Sequence, residues 1–87
     1  MKVVLLHSFF LRDTKKISRK VYEAFRERAA LFRVDPFNSI LENHPLRGKY
    51  LSKRSINITG DYRAIFKEEP LEVVTFVRIG RHRDLYE

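Results

Sequence analysis

The apolar residues of this 87-residue chain change their period near its middle, and that change most narrows what it can fold into. Ile17, Val21, Phe25, Ala29 and Phe32 recur at helical spacing through a stretch without Gly or Pro, and Ser18 stands where a cap belongs, which predicts a long amphipathic helix. Pro36 ends it, because proline lacks the amide donor and drives the preceding residue toward extended geometry. Beyond Gly48 the period falls to two. Tyr50 to Thr59 reads as a strand, with Ile56 and Ile58 alternating against Ser55, Asn57 and Thr59. Gly60-Asp61 marks a tight turn, Tyr62 to Lys67 the next strand, Glu68-Glu69-Pro70 a further turn, and Leu71 to Ile79 the last strand, ended by Gly80.

At the N-terminus, Lys2 to Leu6 reads as a strand buried on both faces. Ser8 caps a short following helix that places Phe9 and Phe10 near one face and leaves Arg12, Lys15 and Lys16 in solvent. Residues 35 to 49 are mostly connection, punctuated by Pro36, Pro45 and Gly48, with one helical turn around Ser39 to Glu42. The order is strand, two helices, then three strands. This predicts an α+β fold, a small antiparallel sheet with the helical pair on one face, as a single domain over residues 1–87. The first strand joins the sheet either at an edge or between others.

Eighteen Lys and Arg against eleven Asp and Glu give a formal charge of +7. Residues 1–42 hold nine basic and five acidic side chains and residues 43–87 nine and six, so the excess is spread over a folded surface rather than gathered in a tail. Such a surface attracts polyanions such as RNA. With no cysteine, disulfides, thiolate metal sites and Cys nucleophiles are excluded, and a reducing, cytoplasmic setting fits. The apolar runs, Val3 to Leu6 and Leu71 to Val77, are far shorter than a bilayer span, and residues 1–7 do not read as a signal peptide. No membrane partner is expected.

His44, Asp61, Arg63, Arg78, Arg81, His82 and Tyr86 fall at predicted strand ends and turns, where a rigid sheet presents side chains to a ligand. RNA cleavage without a metal needs a base for the ribose 2′-hydroxyl, a cation at the phosphate and an acid for the leaving 5′-oxygen. Two histidines and several arginines meet these demands, although the same residue types are common in basic domains with no such activity. The three histidines are far apart in sequence and no His-Glu-x-x-His or Cys framework accompanies them, so neither a metal nor a cofactor is expected. His7 lacks a surrounding motif and reads as structural, as do Tyr22 and Phe25.

Four motifs in order carry a resemblance: His44-Pro45-Leu46-Arg47-Gly48-Lys49-Tyr50, Arg54-Ser55-Ile56, Gly60-Asp61-Tyr62-Arg63-Ala64-Ile65-Phe66, and Val77 through Tyr86. Together they resemble the RelE superfamily of toxins from toxin-antitoxin systems, in its YafQ-like branch, over the whole chain and most sharply from His44 onward. The resemblance implies a RelE/ParE-like fold, a ribosome-dependent mRNA endoribonuclease, and a cognate antitoxin that binds the toxin as a hetero-oligomer. It places His44, Asp61, Arg78, His82 and Tyr86 in the catalytic set. Arg63, Arg54, Lys49 and Arg81 are expected at RNA or phosphate. A further family histidine is replaced here by Asn57, which cannot transfer a proton near neutral pH.

On this reading His82 is the general acid, His44 or Asp61 the general base, Arg78 and Arg63 stabilise the phosphate, and Tyr86 stacks on a base or orients the scissile nucleotide. Bland alternatives stand beside these roles. Asp61 also suits a turn, and Arg63 can pair with Glu68 or Glu69 across a hairpin. Arg12 to Lys20 can be a solvated helix face or a ribosomal RNA contact. The other functional classes are a ParE-like toxin acting on DNA gyrase and a degenerate toxin that binds antitoxin without cleaving. An antitoxin for this chain is expected to be acidic where it touches the basic surface.

Overall fold

A computed structural model describes residues 1–86. Strand β1 (Val3–Leu6) leads into helix α1 (Ser8–Thr14) and the long helix α2 (Arg19–Val34). Strands β2 (His44–Pro45), β3 (Arg54–Thr59), β4 (Tyr62–Glu69) and β5 (Val73–Arg81) follow, and helix α3 (His82–Tyr86) closes the described chain. The sheet order is β1-β5-β4-β3-β2. β2 through β5 pair antiparallel, and β1 lies parallel to β5 with Val3 opposite Val73 and Leu6 opposite Phe76. The predicted α+β order and the helical pair on one face are observed, with β1 at an edge.

Several boundaries differ from expectation for physical reasons. β1 is not buried on both faces: Val3 and Leu5 are about half exposed, because the face away from the helices has no cover at that edge. α1 is capped by His7 rather than Ser8, its Nδ1 accepting from the Phe9 amide at 3.0 Å. Ser18 caps α2 as predicted, its Oγ accepting from the Val21 amide at 3.1 Å. β3 begins only at Arg54, since Gly48–Tyr50 closes into a 3-10 turn and Ser52 takes a left-handed φ of 76°. β4 runs two residues further than predicted, into a β4–β5 turn that places Leu71 and Glu72 in left-handed conformations.

Gly80 does not end β5 but lies within it. A Cβ there would stand 3.3 Å from the Leu85 Cδ2, so glycine admits the close approach of α3. Helix α3 and the two-residue β2 had no clear periodic signal, being too short to show one.

The main core lies between the sheet and the helical pair. Phe76 is its hub, with ring centroids 5.2 Å from Phe25, 5.7 Å from Phe32 and 5.4 Å from Phe66. Such tilted and edge-on pairs add to the area buried. Ile56 and Ile58 of β3, Ala64 of β4 and Ile79 of β5 complete that layer. A second, smaller cluster of Leu46, Tyr50, Ile65, Val77 and Leu85 covers part of the opposite face. It depends on a register shift between Ile65 and Phe66, where β4 pairs with Arg78 and then Phe76. The extra residue, Val77, bulges so that it joins Arg78 on the side away from the helices.

Candidate functional site

Cross-strand partners point to the same face, so the register writes the site directly. His44 pairs with Ser55, Ser55 with Ile65, and Ile65 with Arg78, a single row across four strands on the face away from the helices. Asn57, Arg63 and Gly80 form the next row. At about 4.8 Å per strand, the His44 and Arg78 backbones stand roughly 14 Å apart, a span their side chains can narrow from both ends. The second apolar cluster rises between them, with Tyr50 and Leu46 above Ile65.

Arg78 is anchored from the other side of the molecule. The Asp13 carboxylate of α1 accepts from its Nε at 2.7 Å and from its Nη2 at 3.1 Å, and also from the Ile79 amide at 3.0 Å. β1 leaves β5 at Phe76, where the His7 amide reaches the Phe76 carbonyl, and the outer edge of β5 is bare beyond that point. Asp13 satisfies the amide that a longer β1 would have paired. Its hydrogen bonds raise the Arg78 guanidinium above the ordinary arginine pKa; burial opposes this, and the Asp13 charge and Tyr50 add smaller upward contributions. With its side chain 36% exposed, Arg78 keeps a solvent-facing portion for an anion. Sequence reasoning gave Asp13 no role. The signal was its spacing, Phe10-Asp13-Ile17, which puts a carboxylate on the buried stripe of a helix.

His44 is exposed and held by the turn before it. Glu42 takes a left-handed conformation, φ 48° and ψ 45°, uncommon for a residue with a side chain, and its carbonyl lies 2.9 Å from the His44 Nδ1. The expectation that Arg63 faces a phosphate or pairs with Glu68 or Glu69 does not match its placement. Arg63 is buried and turned toward Glu42: its Nη2 donates to the Glu42 carbonyl at 2.9 Å, its Nε to the Ser55 hydroxyl at 2.9 Å, and its Nη1 lies 3.5 Å from the Glu42 carboxylate. Arg54, also expected at RNA, donates from Nε to the Asn43 side chain at 2.8 Å and lies over the Phe37 ring. Both arginines secure the loop that delivers His44.

His82 opens α3, exposed, its amide donating to the Asp61 carbonyl at 2.9 Å. The Asp61 side chain stays in solvent beside the β3–β4 turn. The Tyr86 ring lies 4.6 Å from that of His82 and 5.6 Å, edge-on, from that of Tyr50. Tyr86 is therefore partly buried against both, and its hydroxyl is enclosed without a hydrogen-bond partner. That packing suits orienting His82 better than stacking on a base. Arg81 is exposed and lies over Tyr62, whose hydroxyl raises its pKa most, ahead of the charges of Tyr62 and Asp61. Lys49 is exposed over Tyr50. Asn57 donates from Nδ2 to the Gly60 carbonyl at 3.2 Å and so closes the β3–β4 turn.

Thus His44 and Arg78 share one face, with His82 and Tyr86 packed beside it on α3. A groove of about 310 Å³ opens on the bare side of β5, lined by Lys16, Arg78 and Arg81 with Asp13 and Asp84, and reaches the Arg78 guanidinium from the flank opposite His44. Among the described residues, no group of three or more His, Asp or Glu side chains is arranged to hold a metal ion, and no helix is long and apolar enough to cross a membrane.

No family model and no curated protein matches the sequence. Solved structures do match the fold. YafQ from E. coli superposes with a TM-score of 0.81 over 100% of both chains at 18% identity. The E. coli DinJ-YafQ toxin-antitoxin complex matches with a TM-score of 0.80 at 19% identity, covering 99% of this chain and 98% of that one. A YoeB/ParE toxin from Agrobacterium tumefaciens gives 0.71 at 16% identity, covering 94% and 99%. At these identities the likeness is one of architecture, and this chain has the RelE/YafQ-like toxin fold over essentially its whole length.

Proposed function

We propose that this chain is the toxin of a toxin-antitoxin pair and acts in the cytoplasm as a ribosome-dependent mRNA endoribonuclease. The observation that carries the proposal is the pairing of two exposed histidines with an anchored arginine: His44 in one row with Arg78, and His82 on the helix that follows the same strand. In the proposed reaction His44 takes the proton of the ribose 2′-hydroxyl, and the 2′-oxygen attacks the adjacent phosphorus. The bond from phosphorus to the 5′-oxygen breaks, and His82 gives that oxygen its proton. The products are a 2′,3′-cyclic phosphate and a 5′-hydroxyl. Arg78 stabilises the added charge on the phosphate in the transition state. Tyr86 orients His82, Asp61 is the alternative base, and Lys49 and Arg81 receive flanking phosphates.

The antitoxin partner is supported by the fold shared with the toxin of the DinJ-YafQ complex, and by a net positive surface that an acidic segment would cover. One feature favours the degenerate-toxin alternative: Asn57 spends its amide on the turn and offers no proton-transfer group. Primer extension on a translated mRNA, with wild type, H44A and H82A expressed in turn, separates the readings. Codon-linked cuts that vanish in both variants support the nuclease. Gyrase-dependent DNA breaks point to a ParE-like toxin instead, and neither effect to the degenerate form.

A further inference from the structure

We propose that Arg63 is a positioning residue for His44: it clamps the strained Glu42 carbonyl so that this oxygen fixes one tautomer of the imidazole and leaves Nε2 bare toward solvent. The consequence for catalysis rests on the nuclease reading above. The geometry of the clamp does not.

The His44 Nδ1 lies 2.9 Å from the Glu42 carbonyl oxygen and 3.3 Å from the Arg63 Nη2. The two hydrogens of the Arg63 Nη2 go to the Glu42 and Ser55 carbonyls, which leaves none for Nδ1, and an oxygen 2.9 Å from a bare nitrogen would set two lone pairs against each other. The proton therefore sits on Nδ1 and is donated to the Glu42 oxygen. The same oxygen accepts from the Arg63 Nη2 at 2.9 Å, using its second lone pair. Nδ1 being protonated, the neutral ring keeps its lone pair on Nε2, the form a base requires.

That oxygen is in position only because Glu42 is left-handed, a conformation that is unfavourable for a residue with a side chain and persists where neighbours enforce it. Arg63 is the neighbour that does so. Its Nε and Nη2 hold the Ser55 hydroxyl and carbonyl, and its other contacts hold Glu42, so a rigid strand sets the turn. Two further tethers fix the same loop: Arg28 donates to the Ile40 carbonyl at 3.1 Å and Asn43 to the Pro36 carbonyl at 2.9 Å. Arg63 is 8% exposed, which leaves little of it for a substrate phosphate.

The test is the nitrogen-15 spectrum of the imidazole rings in the full-length chain at a pH where they are neutral, for wild type, R63M, R63K and S55A. Wild type is expected to show His44 with its proton on Nδ1, and R63M the tautomer mixture of a free imidazole. R63K, which can still reach the Glu42 oxygen, and S55A, which removes one anchor only, are expected to lie between. S55A also carries the test if R63M does not fold. An unchanged His44 tautomer in the folded variants overturns the proposal. Cleavage of translated mRNA supplies the second readout: loss of alignment is expected to lower kcat of R63M by about 100-fold with KM near wild type. A raised KM with kcat kept would make Arg63 a substrate ligand and overturn the proposal. If the wild type cleaves nothing, the nuclease reading fails while the tautomer measurement still decides the clamp.

Discussion

Asp13 and Arg78 lie 65 residues apart in sequence and meet through two hydrogen bonds of 2.7 and 3.1 Å. The same carboxylate takes the Ile79 amide on the stretch of β5 that β1 does not reach. One side chain therefore finishes the sheet edge and aims the arginine proposed for the phosphate, joining stability to function at a single point.

Replacing Asp13 separates the two contributions. D13A leaves a buried amide and a guanidinium without partners and is expected to lower the unfolding free energy by about 2–4 kcal/mol. D13N keeps an oxygen for one of those donors and is expected to lose about half as much. Urea unfolding followed by circular dichroism measures both, and a loss in D13A below about 1 kcal/mol would contradict the edge-capping role.

Arg78 sets an expectation for pH. Its pKa is raised in the folded chain, chiefly by the hydrogen bonds to Asp13. For a base raised in this way, the added stability is fully present below the ordinary arginine value and is lost only as pH climbs through the raised one. From about pH 6 to pH 10 the arginine itself therefore contributes no pH dependence. The unfolding free-energy difference between wild type and R78Q should be level across that window.

The enclosed Tyr86 hydroxyl makes a prediction of opposite sign. A buried hydroxyl without a partner is unfavourable, so Y86F is expected to raise stability by about 1 kcal/mol, or several degrees in Tm for a domain of this size. Its ring still packs on His82, so cleavage should persist, whereas Y86A, which removes the ring, should lower it. A Y86F protein that is less stable than wild type would mean that the hydroxyl has a partner in solution.

Gly80 tests how α3 is seated. A Cβ at this position meets Leu85 at 3.3 Å, so G80A is expected to be tolerated with a small shift and G80V to push α3 away from β5, at a cost of about 1–3 kcal/mol. The ring-current shifts of His82 should weaken in G80V as its contact with Tyr86 opens. Unchanged shifts would show that α3 is seated by other contacts.

The parts of this fold that were legible in sequence are those with enough repeats of one period. α2 declared itself through five apolar residues at helical spacing and a serine cap, and β3, β4 and β5 through alternation and turn residues. β1 is legible as a strand but its exposure is not, because Val3 and Leu5 look like core residues and nothing in the sequence shows that one face of an edge strand lies uncovered. β2 and α3 are too short for a period to emerge. In the site, motif order located His44, Arg78 and His82 without revealing their supports. Asp13, Glu42 and Ser55 act through contacts made far along the chain or through a backbone conformation, and a local pattern encodes neither. The contacts of Arg63 with Glu42 and Ser55 are not legible either, since a strand arginine has the same sequence appearance whether it faces solvent or its own loop.

The parallel pairing of β1 with β5 has a consequence for the order of events during synthesis. Val3 is made before both helices, and its partner Val73 emerges only after them and the β3–β4 hairpin. Closing so long a loop is a slow step, and the early strand has no other place in the sheet. Asp13 likewise waits for Arg78 and Ile79. The nascent chain thus stays without its finished edge and without an aimed arginine until β5 has left the ribosome, and any activity that depends on Arg78 waits for that strand.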